Sequence, residues 1–390
     1  MSDVIIHKCP NCDGPLLFDP KDQNFHCEYC LSRFSVTDIE KFEAKKAEKK
    51  QDTLAKDSSS SIDAPVENLN LEPPERNSTS EHYATDTHKE SDDDAYMELF
   101  NCPSCGAEIV TEATTAATYC YYCHNPVVLA GRISGEFLPE SILPFAIEKE
   151  EAIDSFLNWA QKKKFIPKDF FDKSQVEKLT GVYFPYWIVD ADLSGDLSAN
   201  ANSISVWRVG DYEYTQTKKF KLYRKGKISL TALVKNALKK NAKVKMVESV
   251  QPFPLEQSQP FHSQFLAGFQ AEKRDIEISE LNQELSSELK GYGNDLLEDT
   301  ISGYSTVYNK QSHLQIDKQQ QRYVLLPVWL VTYNNQQDAS ENPKPYYYVM
   351  NGATGKVSGK LPINTFKLTL FSLSMGILAL IAVLIGGYFI

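Results

Sequence analysis

Cys9-Pro-Asn-Cys12 followed by Cys27-Glu-Tyr-Cys30, and Cys102-Pro-Ser-Cys105 followed by Cys120-Tyr-Tyr-Cys123, together hold all eight cysteines of the chain. Both sets read C-x2-C-x14-C-x2-C, so the second repeats the first 93 residues on, from Cys9 to Cys102. Four thiolates at this spacing can wrap one tetrahedral Zn²⁺, each CxxC turn supplying two ligands. The likeness extends past the sulfurs. Pro10 and Pro103 share a slot, as do Tyr29 and Tyr122, and Gly14 and Gly106 follow their knuckles, where a left-handed backbone is useful. The expected metal ligands are therefore Cys9, Cys12, Cys27 and Cys30 for one structural zinc ion, and Cys102, Cys105, Cys120 and Cys123 for a second. No cysteine remains for catalysis or a disulfide. A redox CxxC opens a helix in a βαβ unit, a pattern not found around these pairs. The opening residues, Met1 to Lys8, lack the apolar run of a secretory signal, so the thiols are expected in a reducing compartment. His26 and His124 adjoin ligand cysteines and read as bystanders, since each set already has four sulfurs.

At the other end, Leu368 to Ile390 carries no charge and is dense in Leu, Ile, Ala, Val and Phe. As a helix, such a stretch rises about 34 Å, enough for a hydrocarbon core about 30 Å thick. Lys356, Lys360 and Lys367 precede it, so the positive-inside rule expects the N-terminal body in the cytoplasm and a single-pass C-terminal anchor in the cell membrane.

Between the ends, the reading is α+β with five parts. These are a first zinc ribbon (1–38), an acidic disordered linker (39–98), a second ribbon (99–133), an α+β body (134–363) and a transmembrane helix (366–390). The linker is Lys/Glu-rich, then Ser/Asp/Pro-rich, and poor in aromatic residues before Tyr96, so it cannot bury enough surface to offset chain entropy. Its opening, Asp38 to about Lys56, can form a short charged helix. Such a tether is expected to leave the first ribbon free of the second.

In the body, helical periods run from Lys149 to Lys164 and from Lys168 to Leu179. Strands are expected at 181–190, 203–209, 212–223 and 227–230, then a helix at 231–241 and a strand at 243–249. A strand or tight turn is expected at 265–270. A polar helix follows from Glu277 to Thr300, with a break near Gly291 to Gly293. Arg322-Tyr-Val-Leu-Leu-Pro327-Val-Trp329-Leu-Val331 repeats the pattern of Gly181-Val-Tyr-Phe-Pro185-Tyr-Trp187-Ile-Val189, which points to two related halves. A hairpin closes the body over Tyr346–Met350, Asn351-Gly352 and Lys356–Ser358.

No nucleotide-binding glycine loop, nucleophile elbow or His-Glu-x-x-His is present, and outside the ribbons and linker only His262 and His313 remain. The expectation is a protein that is not an enzyme. A weaker alternative is an enzyme with an unrecognised site in the paired-half body. Ribbon charge also argues against nucleic acid. Residues 1–40 sum to −4, and residues 99–130 hold Glu108 and Glu112 with no Lys or Arg. Tyr214 to Val247 is different, with no acid among Lys218, Lys219, Lys221, Arg224, Lys225, Lys227, Lys235, Lys239, Lys240, Lys243 and Lys245. That stretch reads as a solvated surface, as contact with anionic membrane lipids, or, in third place, as nucleic-acid binding.

The second ribbon, Gly181-Val-Tyr-Phe-Pro-Tyr-Trp187, Pro252-Phe-Pro254 and Phe265-Leu-Ala-Gly-Phe-Gln-Ala-Glu272 resemble the bacterial TFIIB-type zinc-ribbon membrane proteins over about residues 99–390. The resemblance implies partners among SPFH-domain (flotillin-like) and phage-shock-type proteins in membrane or envelope stress. The extra N-terminal ribbon departs from that pattern. The expected function is a membrane-anchored, cytosol-facing scaffold or adaptor that recruits protein partners, with Phe25, Tyr29, Tyr119, Tyr121 and Tyr122 as candidate contact residues. The alternative is a membrane-tethered nucleic-acid-binding or regulatory protein.

Overall fold

The computed structural model describes residues 4–57, 97–120, 123–163, 165–166, 179–239, 247–333, 346–361 and 363–388. Along the chain, β1 (Val4–Ile5), β2 (Leu16–Asp19), β3 (Asn24–Cys27) and β4 (Arg33–Phe34) lead into α1 (Val36–Asp57). The second cysteine module follows as β5 (Met97–Asn101), β6 (Glu108–Glu112), β7 (Thr115–Tyr119) and β8 (Pro126–Leu129). The body opens with β9 (Ser141–Ile142), α2 (Lys149–Gln161), β10 (Thr180–Val209) and β11 (Tyr212–Asn236). It continues through β12 (Gln259–Pro260), β13 (Gln270–Glu272), α3 (Ile278–Asp299), β14 (Thr306–Tyr333), β15 (Tyr346–Asn351) and β16 (Val357–Lys360), and α4 (Thr365–Tyr388) ends the chain. The architecture is mixed α+β, with one large sheet ordered β1-β8-β7-β13-β10-β14-β15-β16 and β11 added to β10.

The two Pro-x-Trp strands lie side by side. β10 and β14 are antiparallel, with Phe184 opposite Leu326, Tyr183 opposite Pro327 and Pro185 opposite Leu325. Each is joined at the matching place by a short parallel strand: β9 beside Val324–Leu325, and β13 beside Val182–Tyr183. Each short strand leads through Ile-Glu (147–148 or 276–277) into a helix whose N-cap is that glutamate. The indoles complete the exchange. Trp187 Nε1 donates to the Ile276 carbonyl and Trp329 Nε1 to the Ile147 carbonyl, both at 3.0 Å. Thus β9-α2-β10 and β13-α3-β14 are interlocked, each indole bonding to the connection of the other unit.

Residues 181–189 of β10 are buried on both faces, which accounts for their near-continuous apolar run. At the centre of this core Phe145 stacks on Phe269, with centroids 4.2 Å apart and planes 7° apart. Gly181 and Gly352 bracket that stack. A Cβ at Gly181 would meet Phe269 Cδ1 at 2.6 Å, and one at Gly352 would meet Phe145 Cδ1 at 2.5 Å. Glycine is required at both positions by close approach.

Beyond Asp190 the strands leave the body as a three-stranded arm, β11-β10-β14. Thirty residues of β10 at ~3.3 Å each make a strand about 100 Å long. One face carries Leu193, Ala199, Ala201, Leu222, Ile228, Leu314 and Ile316 and packs against α3 or the residues after it. Leu285, Leu289, Gly293 and Leu297 form the buried seam of α3. The helix expected to break at its glycines is continuous, because Gly293 faces the sheet where a Cβ would meet Leu314 Cδ2 at 3.0 Å. Past Asn202, opposite Thr306, β14 has ended and the arm is a two-stranded hairpin. Its turn is Gly210-Asp211, with Gly210 at φ 58°, the glycine-first geometry that suits strand twist.

Several expectations change. The separate strands at 203–209, 212–223 and 227–230 are parts of β10 and β11. The helix expected at 231–241 is strand through Asn236, since Thr231 and Val234 favour the pleat and Ala232 (φ 61°) forms a bulge whose N–H donates to Asp190 Oδ1. Of the strand expected at 243–249, the described Val247–Glu248 are a helical turn. The segment 265–270 is a 3₁₀ turn ending at Leu266, then Gly268 at φ 97° and the start of β13. The charged helix expected from Asp38 to about Lys56 forms as α1, while the rest of the linker and the helix expected at 168–179 lie almost wholly outside the described residues. The hairpin at 346–360 forms, with Asn351 Oδ1 accepting from the Ala353 and Thr354 N–H groups in its turn.

The first cysteine module is docked, not loose. β1 pairs with β8 of the second module, Val4 opposite Leu129. Phe18 and Phe25 pack on Phe265 at 5.2 and 6.2 Å, the Phe18 N–H donates to the Ala267 carbonyl at 3.0 Å, and Gln23 Nε2 donates to the Phe145 carbonyl at 2.8 Å. Helix α1 is tied down through Glu43, which binds His7 Nδ1 at 3.0 Å and Gln264 Nε2 at 2.8 Å, and through Glu40 with His262 at 2.8 Å. Burial raises the Glu43 carboxyl, but His7, with the Gln264 hydrogen bond and the Lys46 charge, outweighs it and holds the group below its usual range. Apolar burial, not the tether's composition, decides where this module sits.

Candidate metal centres

Each CxxC pair is built on the same backbone turn. The N–H of the residue after the second cysteine (Asp13, Leu31, Gly106 or His124) donates to the first cysteine's carbonyl at 2.8–3.0 Å. These four residues have φ of 59°, 59°, 73° and 57°. The left-handed place expected at Gly14 therefore belongs to Asp13. Gly14 is needed instead for the close approach of Tyr29, whose Cδ2 would lie 3.0 Å from an added Cβ. The first cysteine of every pair is fully buried and seats its turn on the module core, while Cys12, Cys30 and Cys105 face outward and Cys123 is half-buried.

The turns bring the sulfurs together in two quartets. Cys9 and Cys30 Sγ are 3.5 Å apart and Cys12 and Cys27 3.4 Å; in the second set Cys102–Cys123 and Cys105–Cys120 are each 3.7 Å. Within each set all four sulfurs lie within 4.8 Å of one another. A tetrahedral ion with metal–sulfur bonds of ~2.3 Å needs sulfur–sulfur edges of about 3.8 Å, whereas a disulfide needs ~2.05 Å. Both quartets fit an ion and neither is a disulfide. All eight cysteines expected as ligands are in these quartets, and His26 and His124 stand outside them. His26 is held by Asp22 at 2.7 Å and Asp19 at 3.4 Å.

The electrostatics also call for a cation. Against the lowering pull of the Gly14 N–H, the Cys27, Cys30 and Cys9 sulfurs push Cys12 up to about 12. Cys105 is likewise pushed up to about 12, against its Ala107 N–H, by burial and the sulfurs of Cys123, Cys120 and Cys102. Cys30 goes the other way, to about 6, chiefly through the Ser32 hydroxyl and N–H. Four thiolates this close repel one another until a dication neutralises them.

One device lies outside the cysteine spacing. Asn11 Nδ2 donates to Ser32 Oγ at 2.9 Å, tying the first knuckle to the second. In the other module Asn125 Nδ2 donates to Ser104 Oγ at 2.6 Å. These positions correspond under the same 93-residue displacement, with Asn and Ser exchanged. An alignment of the two sets that admitted swapped pairs would have revealed it.

The aromatic contact candidates divide. Phe25 is 0% exposed and packs on Phe18 and Phe265, and the half-buried Tyr119 hydroxyl donates to the Gly268 carbonyl. Tyr29 is 73% exposed, and Tyr121 and Tyr122 lie outside the described residues. Of the basic stretch, Lys235 pairs with Glu284 and Glu288 of α3, and Lys239 with Glu280. Lys240, Lys243 and Lys245 lie outside the described residues. Lys219, Lys221, Lys225 and Lys227 alternate along the open face of the arm. Helix α4 is apolar, exposed on all sides where described, and long enough to cross a membrane.

Searches against family models and against solved structures return no match. The uncharacterized protein YdjG of Bacillus subtilis (strain 168) is 31% identical over 267 residues, which span 67% of this chain and 76% of YdjG. At that identity and coverage, the chain belongs to the same family as YdjG.

Proposed function

We propose that this chain is a membrane-anchored scaffold in which two structural zinc ions close the cysteine modules, α4 spans the bilayer, and the body and arm recruit protein partners. The observation that carries the reading is the placement of α4 and the arm. Lys360 pairs with Tyr347, which pairs with Thr332, so α4 leaves the body at the end away from the hairpin tip. From the level of Thr332 to Thr306 is about 85 Å of strand at ~3.3 Å per residue. An all-round apolar helix at one end and a projecting arm at the other suit a protein that is held in place while reaching outward. Zinc is the ion of choice because closed all-thiolate sites of this size favour it and small modules need it to fold. The lysines before α4 favour a cytoplasmic body.

The interlocked β9-α2-β10 and β13-α3-β14 units support a body of two related halves. The resemblance to TFIIB-type zinc-ribbon membrane proteins makes SPFH-domain or phage-shock-type proteins the first partners to test. On this reading the arm lysines at 219–227 lie some 55–85 Å along the strand from the anchor, which weighs against headgroup contact in the same bilayer.

The test compares the full chain with a truncation ending at residue 364, in membrane fractions and by proximity labelling. The full chain is expected to resist alkaline wash and the truncation to become soluble. A full chain found in the soluble fraction, or one with no specific protein neighbours, contradicts the proposal. A second reading rests on one observation: Lys219, Lys221, Lys225 and Lys227 share the open face and have no ion-pair partner among the described residues. Polyanion binding there would be salt-sensitive in a mobility-shift assay and lost on neutralising them.

A further inference from the structure

We propose that the arm's hairpin tip is a self-association surface, and that a second copy of this chain pairs antiparallel with the outer edge of β11 about Gln216. The inference goes beyond the scaffold reading and does not depend on the anchor. It begins with the edge itself. Among the described residues β11 pairs only with β10, so its outer edge is open. Past Asn202 the arm has just two strands, and a lone hairpin is marginal in water. Yet this tip exposes Val206, Trp207, Val209, Tyr212 and Tyr214, with Trp207 47% and Tyr212 73% exposed. Trp207 stacks on Tyr214 across the strands at 5.9 Å, so one tip face is a continuous apolar and aromatic strip. Clustered exposure of this kind marks an interaction surface.

Charge selects the occupant. The edge reads Asp211-Tyr-Glu213-Tyr-Thr-Gln216-Thr-Lys218-Lys219-Phe-Lys221, acidic at one end and basic at the other. Parallel pairing of two copies would set like charges side by side. Antiparallel pairing centred on Gln216 sets Glu213 opposite the second copy's Lys219, and Asp211 opposite its Lys221, on one face. On the other face it sets Tyr212 opposite Phe220 and Tyr214 opposite Lys218. Opposite charges and aromatic pairs in these positions stabilise a sheet, and like charges destabilise it. The two-fold axis repeats each pair, so the interface carries every contact twice. Two marginal hairpins become a four-stranded sheet. The lysines nearer the body, Lys225 and Lys227, guard the rest of the edge against uncontrolled extension.

The full chain, purified in detergent, supplies the test. A cysteine placed at the two-fold axis faces its own copy at ~4.5–5.5 Å between Cα atoms, within disulfide reach. Under mild oxidation Gln216→Cys is therefore expected to give a covalent dimer, whereas Tyr223→Cys and the unmodified chain treated alike are not. In sedimentation velocity the unmodified chain is expected to dimerise. Glu213→Lys or Lys219→Glu should each weaken the dimer about tenfold or more, since each makes two pairs repulsive, and the double exchange should restore it. A chain that stays monomeric at every concentration reached overturns the proposal. So does a dimer indifferent to both reversals, or one cross-linked as well through Tyr223→Cys.

Discussion

Phe265→Ala tests whether the first cysteine module is bound to the body by aromatic packing. Phe265 is 1% exposed and sits against Phe18 at 5.2 Å and Phe25 at 6.2 Å, so its ring fills the joint between the module and the body. A buried Phe→Ala change costs about 3–5 kcal/mol, part transfer and part cavity. On the proposed reading a metal ion holds the module's own fold separately, so the loss should fall on docking. The reporter is the Phe18 amide, which donates to the Ala267 carbonyl across the joint at 3.0 Å. Amide exchange governed by local opening should accelerate roughly a hundred- to several-thousand-fold, at ~1.4 kcal/mol per tenfold. Metal content should stay unchanged. An unaltered Phe18 exchange rate, or loss of metal from the first quartet, refutes the reasoning.

Other expectations follow from the same geometry. Because Cys9 is raised by burial and Cys12 is pushed up to about 12, both carry protons near neutral pH that the ion must displace. Apparent zinc affinity of the first quartet should therefore fall at least about a hundredfold per unit drop in pH, measured by chelator competition between pH 8 and 7; a pH-independent affinity contradicts this. Gly352→Ala drives a Cβ into the Phe145 ring and should cost about 1–3 kcal/mol, seen as a lowered Tm, and an unchanged Tm would show that the stack has room. Trp187→Phe and Trp329→Phe each leave a backbone carbonyl without its donor and should each cost about 1–3 kcal/mol in chemical unfolding; effects confined to one of them would break the equivalence of the two β-α-β units.

How much of this is legible in the sequence depends on how local the determinant is. The cysteine quartets, the apolar helix and the closing hairpin are written in short spacings, and each appears where those spacings place it. The two Pro-x-Trp strands were visible as a repeat, but their pairing with each other is a long-range fact. So is the exchange of Trp187 and Trp329 onto the carbonyls of Ile276 and Ile147. The arm was read in fragments because half its surface is open. From Asp190 onward many inward positions of β10 are small (Ala191, Gly195, Ala199 and Ala201), so the alternation carries little hydrophobic contrast, and Ala232 breaks the period of β11 at a bulge. The docking of the first module is hidden from the sequence for a different reason. Linker composition predicts flexibility between modules, but Phe18 and Phe25 meet Phe265 and Phe269 from 240 or more residues away, and no local pattern announces such a contact.

Everything rests on two sulfur quartets, each spaced to enclose a metal ion. Elemental analysis of the purified full chain, beside the Cys105→Ser variant, addresses that claim with one number. The account predicts two zinc equivalents per unmodified chain, and one in the variant with the second module unfolded. A folded chain free of metal, or a variant that still holds both ions, contradicts it.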